Sequence, residues 1–86
     1  MITSVFIEEF EQRGFVHSDE ISGLKLSKQT DEKKDYLYVT ADKEENVMEI
    51  THVIKVEDVV KSIRIYGSYE EFEAKFILPG YDPKPS

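Results

Sequence analysis

The chain has 86 residues, no cysteine, and a formal charge of -7 from eighteen acids against eleven bases. A chain of this length makes one domain and buries only about 60–65% of the surface its unfolded form exposes, so a deep cleft is not expected. Disulfides, thiol chemistry and cysteine-based zinc sites are excluded, and the acidic balance disfavours direct binding to a phosphate backbone or an anionic membrane.

Residues 4–13 place Phe6, Ile7 and Phe10 on one helical stripe, with Glu8, Glu9, Glu11 and Gln12 opposite. Thr3 or Ser4 can cap this helix, and Gly14 reads as its stop. Residues 15–21 are polar and irregular and read as a connection. Residues 22–29 then alternate, with Leu24 and Leu26 on one side and Lys25 on the other, which predicts a strand. A charged turn follows over residues 30–34.

Residues 35–40 are rich in aromatic and β-branched types and predict a second strand. Tyr36 and Tyr38 oppose Leu37 and Val39 there, so the pattern leaves its buried face open. After a turn over residues 41–46, residues 47–56 alternate strongly. Met48, Ile50, His52, Ile54 and Val56 share one parity; Val47, Glu49, Thr51, Val53 and Lys55 share the other. Glu57 and Asp58 turn the chain back, and residues 59–66 predict a fourth strand. A short helix over residues 56–62 is the competing reading, because those acids would suit its first turn.

Ser68 with Glu71 three residues later has the spacing of a capping box. Tyr69, Phe72, Phe76 and Ile77 then recur as a helical stripe, stopped by Pro79 and Gly80. Residues 1–80 are expected to form the single domain, and residues 81–86 a flexible tail. The predicted fold is α+β: a small antiparallel four-stranded meander with an N-terminal and a C-terminal helix, in the order α-β-β-β-β-α. Its second sheet face is partly apolar. Either the two helices cover opposite faces, or that face meets a partner, a second copy included.

The N-terminus has no basic start and no unbroken apolar run, so a soluble cytoplasmic protein without membrane association is expected. The isolated glycines begin no phosphate loop, and no serine lies in a nucleophile elbow. His17 and His52 are not spaced with carboxylates as a metal set, and the acids match no calcium loop. The chain is therefore read as a non-enzyme with no metal and no cofactor.

In size and charge it is similar to small acidic accessory proteins of phages and mobile elements, a resemblance of composition that carries no motif with it. The function read from the residues is a small acidic protein-interaction module, an inhibitor or accessory protein acting by surface complementarity. Its candidate binding residues are Tyr36, Tyr38, Tyr66, Tyr69, Glu70 and Glu73, because aromatics anchor and charges steer. The alternatives are an acidic mimic of nucleic acid that occupies a DNA-binding protein, and a structural subunit of a larger assembly. Direct nucleic-acid binding would use Lys25, Lys55, Lys61 and Arg64 with Tyr36 or Tyr38, against the overall charge.

Overall fold

The computed structural model describes residues 1–20 and 23–78, so the expected stop at Pro79 and Gly80 and the expected tail over residues 81–86 lie outside the described residues. Helix α1 (Thr3–Glu11) leads into five strands: β1 (Val16–Glu20), β2 (Gly23–Thr30), β3 (Lys33–Ala41), β4 (Val47–Val56) and β5 (Val59–Tyr66). Helix α2 (Tyr69–Phe72) follows and widens into a π-helical turn over Glu73–Ile77. The strands form one antiparallel sheet in the order β1-β2-β3-β4-β5.

The fold therefore has five strands where the sequence pattern suggested four. The additional strand is β1, in the segment read as a connection. Its sequence, Val-His-Ser-Asp-Glu, has almost no apolar alternation. Among the described residues it pairs with β2 alone, Val16 opposite Ser27 through Glu20 opposite Gly23. Backbone hydrogen bonds to a neighbour can hold an edge strand that buries little, and composition does not announce such a strand.

Both helices lie on the same face of the sheet. Phe6 and Phe10 of α1 meet Phe72 of α2, each with ring centroids 5.8 Å apart. Beneath them the sheet contributes Leu24, Leu26, Leu37, Val39, Ile50 and Tyr66 to one buried cluster. The strand registers explain the row: Leu26, Leu37 and His52 lie side by side, as do Leu24, Val39, Ile50 and Tyr66. So Leu37 and Val39 are the buried parity of β3, and its tyrosines point outward. Residues 56–62 form a hairpin, and the competing short helix is absent.

Two local details depart from simple alternation. A register shift between Val39 and Ala41 pairs Ala41 with Val47, which buries Val47 and leaves Met48 half exposed. The start of α1 has no side-chain cap: Thr3 N–H donates to the Glu45 carbonyl and Val47 N–H to the Met1 carbonyl, at 2.9 and 2.7 Å. The sheet edge thus anchors the helix entry in place of Thr3 or Ser4. At its other end Gly14 takes the expected left-handed turn, with φ 94°. Gly23 sits against β3 so closely that an added Cβ would collide with the Val39 carbonyl.

The β4–β5 hairpin turns on Glu57 and Asp58, with φ of 51° and 66°. A two-residue loop with both central residues at positive φ follows the right-handed strand twist, and Asn-Gly fits it best. Glu-Asp pays a steric cost there that Asn-Gly would not. The double substitution Glu57→Asn/Asp58→Gly is expected to raise stability by about 1 kcal/mol. For a domain of this size that is roughly 4–8 °C in Tm, readable by thermal circular dichroism.

The predicted capping box is present in a modified form. Glu71 N–H donates to Ser68 Oγ at 3.1 Å, and Gly67 N–H donates to Glu71 Oε1 at 2.9 Å. The glutamate thus reaches one residue beyond the cap itself. Its second oxygen accepts from Lys75 at 3.1 Å. The Gly67 amide, then the Lys75 ammonium, hold the Glu71 carboxyl below its usual range. A lowered folded pKa means that this latch stabilises the fold above the ordinary glutamate range. Its contribution fades as pH falls through the folded value. Glu71→Gln is expected to abolish the acid-dependent shift of the Gly67 amide resonance; a shift that persists in the variant would assign it to another group.

Candidate functional site

With both helices on one side, the opposite sheet face is open. Its side chains follow from register. One row runs Val16, Ser27, Tyr36, Val53, Ile63; the next runs Ser18, Lys25, Tyr38, Thr51, Ile65; a third runs Gln29, Lys34, Lys55, Val60. Alternation forces this set outward once Leu37, Ile50 and their neighbours face the core.

Tyr36 and Tyr38 stack at the centre, with ring centroids 6.1 Å apart. Lys25 and Lys55 lie over the Tyr36 ring from two sides, 5.8 and 5.5 Å from its centroid. Such contacts hold the ammonium groups over apolar surface while keeping them hydrated. Towards β5 the face becomes purely aliphatic: Ile63 and Ile65 are 60% and 62% exposed. Among its described side chains the acid is Glu49, at the far end of β4. Glu8, Glu11, Glu70 and Glu73 are exposed on the helix layer instead. The molecule is thus divided, with acids over the helices and lysines over the tyrosines of the open face.

The candidate binding residues named from the sequence do not assemble into one surface. Tyr36 and Tyr38 are on the open face. Tyr66 is buried on the inner face, its ring 5.3 Å from Phe72 and 6.5 Å from Phe76. Tyr69 is half-buried at the start of α2, edge-on to Phe6. Burial, with Glu73 and Glu9 nearby, pushes its hydroxyl pKa up. Glu70 and Glu73 are exposed on that helix, across the sheet from Tyr36. Of the bases considered for nucleic acid, Lys25 and Lys55 share the open face. Arg64 aligns with His52 on the inner parity, and Lys61 falls at a register shift between β4 and β5.

Ile63, Ile65 and Val53 were not among the named residues, although the sequence held a signal for them. Val53 is an apolar residue on the otherwise polar parity of β4, and Ile63 and Ile65 share a parity of β5 whose burial the pattern does not settle, which is the mark of a two-sided or uncovered strand.

The inner face carries a buried polar pair. His52 Nε2 and Asp35 Oδ1 are 2.8 Å apart, with side chains 8% and 6% exposed. The residues are diagonal neighbours, since Asp35 aligns with Ile54 and Leu37 with His52. The His52 ring packs edge-on against Phe76 at 4.9 Å, and Lys33 lies 3.8 Å from the second Asp35 oxygen. The pair joins β3, β4 and the π-helical turn. A depression of about 540 Å³ opens beside Asp35, lined by Lys28, Thr30, Asp31, Glu32, Lys33 and Val56. Lys28 is engaged there as a donor to the Arg13 carbonyl at 3.0 Å. Among the described residues no group of three metal-ligating side chains forms, and no helix is long and apolar enough to cross a membrane.

No family model matches the chain, and neither a curated protein nor a solved structure matches it.

Proposed function

We propose that this chain is a small protein-interaction module that acts through its open sheet face by shape and charge complementarity. The observation that carries the reading is the uncovered set of Tyr36, Val53, Ile63 and Ile65 on two adjacent rows, with Lys25 and Lys55 over the Tyr36 ring. Contiguous aliphatic side chains on an uncovered sheet face add little to a monomer, whereas an interface core uses them with aromatic anchors.

Tyr36 and Tyr38 flanked by lysines also favour a second reading, a stacking platform for single-stranded nucleic acid. The aliphatic half of the face and the charge of -7 place it behind the first. A fluorescent oligothymidylate titrated at low and high salt tests it: tight, salt-sensitive binding lost in Tyr36→Ala would establish it.

The test of the leading reading is comparative capture from native extract. Ile63→Ser/Ile65→Ser on the open face is set against Glu70→Gln/Glu73→Gln on the helix layer. A partner lost with the first pair and kept with the second supports the open face. Loss with the helix pair alone overturns it.

A further inference from the structure

The interaction-module reading leaves the chemistry of the partner open, and the edge of the sheet supplies it. Among the described residues, strand β5 pairs with β4 and with nothing else. An edge strand turns every second amide and carbonyl outward, ready for another chain. Natural edges are blunted by proline, bulges or charge. Here the register shift opposite Lys55 disturbs only the start of the strand. From Ser62 to Tyr66 the edge is regular, contains neither proline nor glycine, and carries a single charge, Arg64.

The side chains of that edge are one-sided in charge. In a chain with eighteen acids, Val59–Tyr66 carries none. Lys61 and Arg64 are exposed, and neither makes an ion pair among the described residues. On the open face the same strand presents Ile63 and Ile65. A second copy is a poor occupant of this edge. Antiparallel pairing of two β5 strands through Ser62–Tyr66 would set Arg64 opposite Arg64 or Ser62 of the second copy, never opposite an acid, and like charges opposed across strands destabilise.

We infer that β5 is the docking edge of the module and that it takes an extended acidic segment of a protein partner as a sixth strand. This rests on the interaction-module reading. The added strand would lay apolar side chains beside Ile63 and Ile65, and carboxylates beside Arg64 on the other parity. Main-chain bonds would supply affinity and the alternating side chains specificity.

The probes are a fluorescent nonapeptide of alternating valine and glutamate and its valine–lysine counterpart, titrated into the full chain by anisotropy, with amide exchange mapped by NMR. Net charge alone favours the lysine peptide. The inference requires the reverse: the glutamate peptide binds more tightly, and the new protection falls on β5. Arg64→Glu weakens it roughly fivefold to tenfold, and the lysine peptide gains on that variant. Arg64 is exposed, so the variant should fold. Equal or tighter binding of the lysine peptide overturns the inference. So does protection elsewhere, capture of oligothymidylate in place of either peptide, or concentration-dependent self-association through β5. The two proposals fail separately. A partner released by Ile63→Ser/Ile65→Ser but retained by Arg64→Glu leaves the open face standing and removes the edge.

Discussion

Phe72→Ala is expected to cost about 3–5 kcal/mol, the range for removing a fully buried phenylalanine from a packed core. Phe72 has no exposed surface. Its ring stacks on Phe76 at 4.5 Å and meets Phe6, Phe10 and Tyr66 within 5.8 Å. It is the point where both helices and the sheet converge. A small domain is stable by only about 5–15 kcal/mol, with short chains toward the low end, so this variant should be largely unfolded at 37 °C. Urea denaturation followed by circular dichroism measures it. Tyr69→Ala, at the half-buried rim of the same cluster, serves as the comparison and should cost far less. A loss below about 1 kcal/mol for Phe72→Ala would mean that α2 is not held by this cluster.

The second large effect concerns the buried pair. Asp35→Leu leaves the largely buried His52 ring nitrogen without its acceptor. An orphaned buried polar group costs about 1–3 kcal/mol, more where the lost partner was charged. The double variant Asp35→Leu/His52→Phe removes both polar groups and fills similar volume. It is expected to be more stable than Asp35→Leu alone, because a buried pair replaced whole by apolar side chains is often nearly neutral. The coupling free energy from a double-mutant cycle should reach about 1–3 kcal/mol. Additive effects would show that the 2.8 Å contact does not govern either residue's contribution. Amide exchange should also show faster opening of the π-helical turn in Asp35→Leu, since Phe76 packs on the His52 ring.

The same pair shows how far a pattern can be read. Asp35 shares a parity with Leu37 and Val39, and His52 with Ile50. Each was therefore visible as a polar residue on an apolar row. That the two rows place them within hydrogen-bonding distance is a matter of strand register, which the turns and the bulge set. The site divides in the same way. Tyr36 and Tyr38 were legible as candidate contacts from composition. Tyr66 looked equivalent, but the sheet turns it inward onto Phe72. The pattern of β5 did not settle which of its faces is buried, and among the described residues no layer covers Ile63 and Ile65.

Local chemistry determined much of the framework. Phe6, Ile7 and Phe10 at helical spacing specify α1. The β-branched alternation specifies β4 and β5 at their observed limits. Ser68 and Glu71 specify the start of α2. Each depends on interactions within a few residues, where spacing along the chain is spacing in space. Only the tertiary structure decided the rest. Strand β1 exists because β2 offers it a backbone edge, not because Val16–Glu20 has a strand pattern. Val47 faces inward because a bulge shifts its register. Both helices share one face because their phenylalanines pack on one another as well as on the sheet, and that choice leaves Tyr36, Ile63 and Ile65 uncovered. Which face stays open is set by contacts between residues far apart in the chain, and no local pattern encodes them.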